Sequence, residues 1–151
     1  MLTRIDHVGL AVHDLDAAIA FYQRTFDVQV VHEEVNEEQG VREAMLAVGD
    51  SGSCIQLLAP LGPDSPIARF LDRFGEGIQQ VAYTVEDVDA VAADLRARGV
   101  RLLYDQARRG TADSRVNFVH PKDAMGVLIE LVQHAPPAVA MDATMNGPPG
   151  G

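Results

Sequence analysis

An internal repeat restricts the fold of this chain more than any other feature of its sequence. The segment "DHVGLAVHDLDAAIAF", which begins at residue 6, aligns without a gap with "QQVAYTVEDVDAVAAD", which begins at residue 79. Further along, "CIQLLAP" at residue 54 matches "LIELVQH" at residue 128, and the spacing between these two copies is one residue longer than that of the first pair. The sequence therefore predicts two copies of one module within 151 residues.

Each copy is predicted to begin with an apolar strand, over residues 5–12 and 78–85, that leads into a helix. Asp14 and Asp87 stand where the two helices need an N-cap, and Gly99 stands where the second helix ends. A linker helix is predicted over residues 67–74. Three more strands complete each module, over residues 28–34, 41–49, 53–59, 100–105, 114–120 and 127–133.

These elements predict an α+β fold in which two βαβββ modules in tandem form a curved, pseudo-twofold mixed sheet. We expect one domain over residues 1–134, with module one at 1–60, a linker at 61–77 and module two at 78–134. Residues 135–151 are rich in Pro, Gly and Ala without a periodic pattern, so we predict a flexible C-terminal tail.

The charge balance narrows the range of partners. The formal net charge of -10 repels phosphate backbones and anionic lipids, so we expect neither a nucleic-acid nor a membrane partner. No apolar run approaches the roughly 20 residues that a membrane-spanning helix needs. The single cysteine, Cys54, cannot form an internal disulfide. A cytoplasmic location is the prediction.

Four polar residues occupy related positions in the strands of the two copies. Gln80 lies 73 residues after His7, and Glu130 lies 74 residues after Gln56. Strand alternation turns His7 away from the face that packs under the helix, and it turns Gln79 to the face opposite Gln80. If the two modules curve around a common trough, all four side chains meet on its floor. A divalent cation would then satisfy them at once.

Two longer segments carry a resemblance to a known family. "VNEEQGVREAML" at 35–46 and "RRGTADSRVNFVHPKDAMGVLIEL" at 108–131, together with the paired modules, resemble the vicinal oxygen chelate superfamily (glyoxalase-like fold) and within it the methylmalonyl-CoA epimerases. The resemblance implies a metal-dependent epimerase that interconverts (2R)- and (2S)-methylmalonyl-CoA through a metal-stabilised enolate. It also implies an acyl-CoA substrate and a homodimer.

The same resemblance implies roles for individual residues. The metal ligands fall on His7, Gln56, Gln80 and Glu130, with Gln80 where such epimerases have a second histidine. Glu43 takes the role of the catalytic base, and Glu130 that of a second acid. Cobalt is the metal that the family favours, with manganese, nickel, zinc and magnesium as alternatives. The amide of Gln80 shifts that preference toward manganese or magnesium.

Other interpretations stay open from the sequence. Four basic residues cluster in the second module: Arg108, Arg109, Arg115 and Lys122. We expect Arg115 and Lys122 to bind the coenzyme A or the substrate carboxylate, while the alternative is a solvated edge. A related acyl-CoA such as ethylmalonyl-CoA is an alternative substrate. The rival function is a non-catalytic small-molecule-binding protein of the same fold, with its metal site degraded at Gln80.

Overall fold

The chain folds into an eight-stranded mixed sheet that curls into a half-barrel with three helices, as a computed structural model describes it over residues 1–137. The predicted tail lies outside the described residues from position 138 onward. The helices are α1 (Leu15–Phe26), α2 (Pro66–Phe74) and α3 (Val88–Ala97). The strands are β1 (Arg4–Ala11), β2 (Gln29–Asn36), β3 (Val41–Ala47), β4 (Cys54–Pro60), β5 (Gly77–Thr84), β6 (Arg108–Arg109), β7 (Arg115–Val119) and β8 (Ile129–Gln133).

The strand order, β2-β3-β4-β1-β5-β8-β7-β6, is symmetric about its centre. β1 and β5 pair antiparallel in the middle of the sheet. On either side of them, β4 pairs parallel to β1 and β8 pairs parallel to β5. The first strands of the two modules therefore join the halves, and the predicted pseudo-twofold sheet is confirmed.

The helices begin and pack as their sequences require. The side chain of Asp14 accepts a hydrogen bond from Ala17 N, and that of Asp87 caps α3 in the same way. α1 packs Leu15 and α3 packs Val88 against buried side chains of their own modules. α2 confirms the predicted linker helix. No helix among residues 1–137 has the length and apolar character needed to cross a membrane.

The strand predicted over residues 100–105 is wrong. This segment contributes only an isolated bridge between Leu102 and Val119, and the edge strand β6 is two residues long. The buried side chain of Asn117 accepts a hydrogen bond from Tyr104 N and donates one to Tyr104 O. Since these backbone groups are already paired with a side chain, they are not available for a strand ladder.

Two register shifts interrupt the central pairing of β1 with β5. One lies between Ile5 and His7 and leaves Asp6 as the additional residue, and the other lies where Gln79 is additional in β5. At such a bulge, two neighbouring side chains of one strand face a single residue of the other. Asp6 and His7 are consequently both buried. The prediction that Gln79 faces away from Gln80 is wrong for the same reason, since both line one cavity.

Candidate active site

The four polar side chains predicted to meet in the trough do meet there, and all four are buried. Gln80 lies at their centre. Its Nε2 is 2.7 Å from Oε2 of Glu130, 3.0 Å from Oε1 of Gln56 and 3.5 Å from Nε2 of His7. His7 Nε2 is also 3.1 Å from Oε2 of Glu130. The first module supplies His7 and Gln56, and the second supplies the other two.

Asp6 fixes the orientation of the His7 ring. Its Oδ2 accepts a hydrogen bond of 2.7 Å from His7 Nδ1, while Oδ1 accepts from Thr84 Oγ1 and contacts His134 Nε2. Burial alone would raise the pKa of Asp6, but these three partners outweigh it and hold that pKa far below its usual range. The proton on Nδ1 therefore faces a carboxylate, and Nε2 is directed into the trough.

The environment of His7 favours the protonated, positively charged form of its imidazole. Burial lowers its proton affinity, yet the hydrogen bonds to Asp6 and Glu130 outweigh burial and raise the pKa of His7 to about 9. A cation on Nε2 would compete with that proton. Metal binding at this position is therefore coupled to proton release.

Glu43 lies in β3 next to this group, and only 2% of its surface is exposed. Gln56 Nε2 donates to its Oε2 at 2.9 Å, and Thr111 Oγ1 donates to its Oε1 at 2.5 Å. Burial raises the pKa of Glu43 to about 7, with further contributions from Glu34 and Glu130, against the opposing effect of Thr111. A carboxylate with such a pKa is a stronger base than an ordinary surface glutamate.

Thr111 reaches Glu43 from a strained turn. Ala112 and Asp113 both have left-handed backbones, with φ of 54° and 58°. For non-glycine residues this conformation costs about 1–3 kcal/mol each. Ala112 N donates to Glu34 Oε2 at 3.1 Å, which ties the turn to β2. The turn thereby holds the Thr111 hydroxyl against the buried carboxylate.

A cavity of about 220 Å³ opens over this group. Glu43, Gln56, Gln80 and Thr111 form its polar side. The rest of its lining is mixed. Glu38, Gln39 and Arg108 are polar, and the apolar residues include Val41, Leu58, Ile67, Leu103, Phe118 and Leu128. Gln79 also lines the cavity, and its Oε1 is buried without a hydrogen-bond partner. The cavity therefore offers a small ligand both apolar contacts and several polar groups.

The donor set suits a divalent cation. Turning the Gln80 amide over would bring its oxygen to the point where Nε2 now meets Glu130, Gln56 and His7. One imidazole, one carboxylate and two amide oxygens would then converge, with Asp6 behind the histidine as metal sites usually have. Within residues 1–137, however, no group of three or more His, Cys, Asp or Glu side chains is arranged to hold a metal. Such an oxygen-rich set favours a harder cation over a soft one.

Arg115 and Lys122 are not brought to this cavity. Arg115 pairs with Asp89 of α3 at 2.8 Å, and Lys122 lies in an exposed turn after β7. Their contact with coenzyme A stays a prediction. The residues that sequence reasoning missed are Asp6 and Thr111. The acidic neighbour of His7 was a usable signal, but nothing in the sequence indicated that Thr111 would reach Glu43.

Gly9 is expected to be required for the position of Gln80. A Cβ at Gly9 would lie 2.8 Å from Cγ of Gln80, inside van der Waals contact. Because Gln80 is held by three neighbours, we expect Gly9→Ala to lower the free energy of unfolding by about 1–3 kcal/mol. Urea denaturation measures this loss.

Gly77→Ala is the matched control, since a Cβ at Gly77 in the neighbouring strand meets no atom within 4 Å. Combining Gly9→Ala with Gln80→Ala should recover part of the loss, because the clash is then removed. Equal stability of Gly9→Ala and Gly77→Ala would contradict the packing of Gln80 over Gly9.

Comparison with known proteins agrees with the fold. Residues 6–118 match the family model described as the Glyoxalase/Bleomycin resistance protein/Dioxygenase superfamily. The methylmalonyl-CoA epimerase of Mycobacterium tuberculosis is 59% identical, with a TM-score of 0.87 over 89% of this chain and 90% of that one. A Streptomyces coelicolor methylmalonyl-CoA epimerase variant, solved with 2-nitronate-propionyl-CoA, is 55% identical, with a TM-score of 0.87 over 89% and 96%.

A third relative has a broader name. The ethylmalonyl-CoA/methylmalonyl-CoA epimerase of Cereibacter sphaeroides is 38% identical over 88% of this chain and 99% of its own length. Epimerases are isomerases, so the prediction of an enzyme is confirmed over that of a binding protein without chemistry. The chain belongs to the Glyoxalase/Bleomycin resistance protein/Dioxygenase superfamily and, within it, to the methylmalonyl-CoA epimerases.

Proposed function

We propose that this chain epimerises methylmalonyl-CoA at the α-carbon, and that Glu43 removes the proton. The observation that carries the proposal is the buried Glu43 carboxylate, which lines the same small cavity as Gln56 and Gln80. A relative at 54% identity was solved with methylmalonyl-CoA and NH4+, which supports an acyl-CoA substrate here.

The chemistry of the substrate matches this cavity. The α-carbon of a malonyl thioester lies between a thioester and a carboxylate, so its proton is acidic only if the enolate is stabilised. Glu43 receives hydrogen bonds from Gln56 and Thr111, which fix the direction of its oxygens. The burial of Glu43 keeps its proton affinity high.

The residues that would hold a divalent metal are His7, Gln56, Gln80 and Glu130. When bound, such an ion supplies Lewis-acid polarisation of a carbonyl oxygen. The superfamily is generally metal-dependent. Cobalt is the metal expected from the family, and the two glutamines favour manganese or magnesium. His7, held by Asp6, directs its Nε2 to that position, and a metal bound there would displace the Nε2 proton.

Inversion requires a second acid on the other side of the α-carbon. Glu130 is our proposal for this role, because it lies on the trough floor and belongs to the opposite module from Glu43. Gln80 Nε2 and His7 Nε2 both contact its Oε2, so its orientation is constrained. The two carboxylates are separated by Gln56 and Gln80 in one chain of hydrogen bonds.

Deuterium exchange tests the proposal. The chain is incubated with methylmalonyl-CoA in heavy water, with added cobalt or manganese, and the α-deuterium content is followed by mass spectrometry. We expect deuterium entry well above the uncatalysed background. No exchange with any of the metals would contradict the epimerase proposal. Ethylmalonyl-CoA, assayed in parallel, decides between the two substrates that relatives are named for.

The rate should depend on pH through Glu43. Since the base must be ionised and its pKa is raised to about 7, we expect kcat/KM to fall about tenfold per pH unit below 7. A pH profile of the exchange rate checks this. A profile that is flat down to pH 5 would contradict Glu43 as the base.

The raised pKa of Glu43 also affects stability, and in the opposite direction with pH from its effect on the rate. The pKa of Glu43 is higher in the folded chain than its ordinary value of 4.5, so the folded state binds the proton more tightly. The contribution of this group to stability is fully present below about pH 4.5 and is lost as the pH rises through about 7.

A homodimer and a cytoplasmic location stay predictions.

A further inference from the structure

Arg108 differs from the two other arginines of its basic cluster in having no acidic partner in the described part of the chain. Among the side chains of residues 1–137, no carboxylate lies within ion-pair distance of Arg108. Its neighbour Arg109 pairs with Asp113 at 2.7 Å, and Arg115 pairs with Asp89 at 2.8 Å. The guanidinium of Arg108 is therefore available to an anionic ligand.

The guanidinium of Arg108 is nonetheless held in place. Its carbon lies 3.9 Å from the centre of the Tyr104 ring, the distance of a cation–π contact. The backbone of Tyr104 is fixed by two hydrogen bonds with Asn117 and by one of 2.8 Å from Arg96. Its ring also meets the edge of Phe118, with centroids 5.8 Å apart. The arginine therefore rests on a rigid platform, which reduces the entropy lost on binding a ligand.

This platform belongs to the wall of the cavity that contains Glu43. Arg108 and Tyr104 line that cavity together with apolar side chains such as Leu103 and Leu128. At about 220 Å³, the cavity is of a size that suits a small acyl group. Because Arg108 and Glu43 line the same cavity, a substrate with its α-carbon at Glu43 would place its acyl group in the cavity that Arg108 lines.

We propose that Arg108 binds the free carboxylate of the malonyl thioester and so selects dicarboxylic acyl groups over simple ones. The inference rests on the proposed function and adds a substrate-binding residue to it. A guanidinium matches a carboxylate with two parallel N–H donors, and the planar group keeps its stacking on Tyr104 meanwhile. Anchoring the carboxylate also fixes the plane in which the α-carbon meets Glu43.

Binding measurements on Arg108→Gln test this with three ligands. Methylmalonyl-CoA carries both the carboxylate and the phosphates, methylmalonyl-pantetheine lacks the phosphates, and propionyl-CoA lacks the carboxylate. Calorimetry should show about 10- to 100-fold weaker binding of the first two and unchanged binding of propionyl-CoA. This change in selectivity is not expected from a purely structural role, and the retained propionyl-CoA binding shows that the variant is folded.

Arg109→Gln is the matched control, because Arg109 is adjacent in β6 but paired with Asp113; it should bind all three ligands like the original chain. Arg108→Lys keeps the charge and should recover part of the affinity for the two carboxylate ligands. Equal losses for methylmalonyl-CoA and propionyl-CoA, without loss for the pantetheine thioester, would assign Arg108 to the phosphates and overturn the inference. Unchanged binding of all three would overturn it as well.

The inference and the proposed function fail in distinguishable ways. A chain that binds methylmalonyl-CoA with Arg108-dependent selectivity but exchanges no α-proton would contradict only the epimerase proposal. A chain that exchanges the proton, while Arg108→Gln leaves the selectivity for the carboxylate unchanged, would contradict only the role of Arg108.

Discussion

Glu43→Gln is expected to lower the rate of α-deuterium entry into methylmalonyl-CoA by about 10²- to 10⁴-fold, the usual contribution of a general base. Glutamine has the shape of glutamate but no basic oxygen. Its amide can still receive a hydrogen bond from Thr111 or Gln56, so the cavity should keep its form. Mass spectrometry measures the exchange, and calorimetry should show that methylmalonyl-CoA still binds.

Glu33→Gln is the matched control for this experiment. Glu33 lies on the adjacent strand β2, but its carboxylate is about half exposed and faces Arg42. Its removal should leave the exchange rate unchanged. If Glu43→Gln kept the original rate, another group would have to be the base.

Removal of divalent metal is the second large effect. We expect dialysis against a chelator to lower the exchange rate by at least about 100-fold, because Lewis-acid stabilisation of an enolate is worth several kcal/mol. Cobalt or manganese added back should restore the rate. Metal content measured by mass spectrometry should rise in parallel with activity, at one ion per chain.

Gln80→His changes one donor of the candidate metal site and so tests the donor set separately from the fold. An imidazole in this position should tighten cobalt and zinc binding relative to manganese, which equilibrium dialysis measures. Gln79→His is the adjacent control, since the side-chain oxygen of Gln79 makes no hydrogen bond with the donor group. A rate that is insensitive to the chelator would mean that the side chains alone, including the Gln80 amide, stabilise the enolate.

The fold was predictable because the internal repeat can be recognised directly in the amino-acid sequence. Matching the two copies placed His7 with Gln80 and Gln56 with Glu130, and these four residues meet in the structure. Alternation alone then failed at the bulges. A bulge adds one residue to one of two paired strands. Its position is not visible in the amino-acid composition of that strand. For this reason the burial of Asp6 was missed, and the orientation of Gln79 was predicted wrongly.

Long-range contacts account for the other errors. Residues 100–105 have the composition of a strand. Only the folded chain shows that the side chain of Asn117 forms hydrogen bonds with the backbone N and O of Tyr104. The cluster of basic residues was visible, but the sequence does not state which arginine has an acidic partner. Arg115 finds Asp89 from α3, and Arg108 finds none among the described residues.

The pairing of β1 with β5 has a thermodynamic consequence for the whole chain. Because each module supplies only two of the four donors on the trough floor, a ligand that contacts all four binds the joined halves and neither half alone. Its binding free energy therefore adds to the cohesion between the halves, and it raises the melting temperature in proportion to the logarithm of its concentration. Separation of the halves and loss of the ligand become one cooperative event.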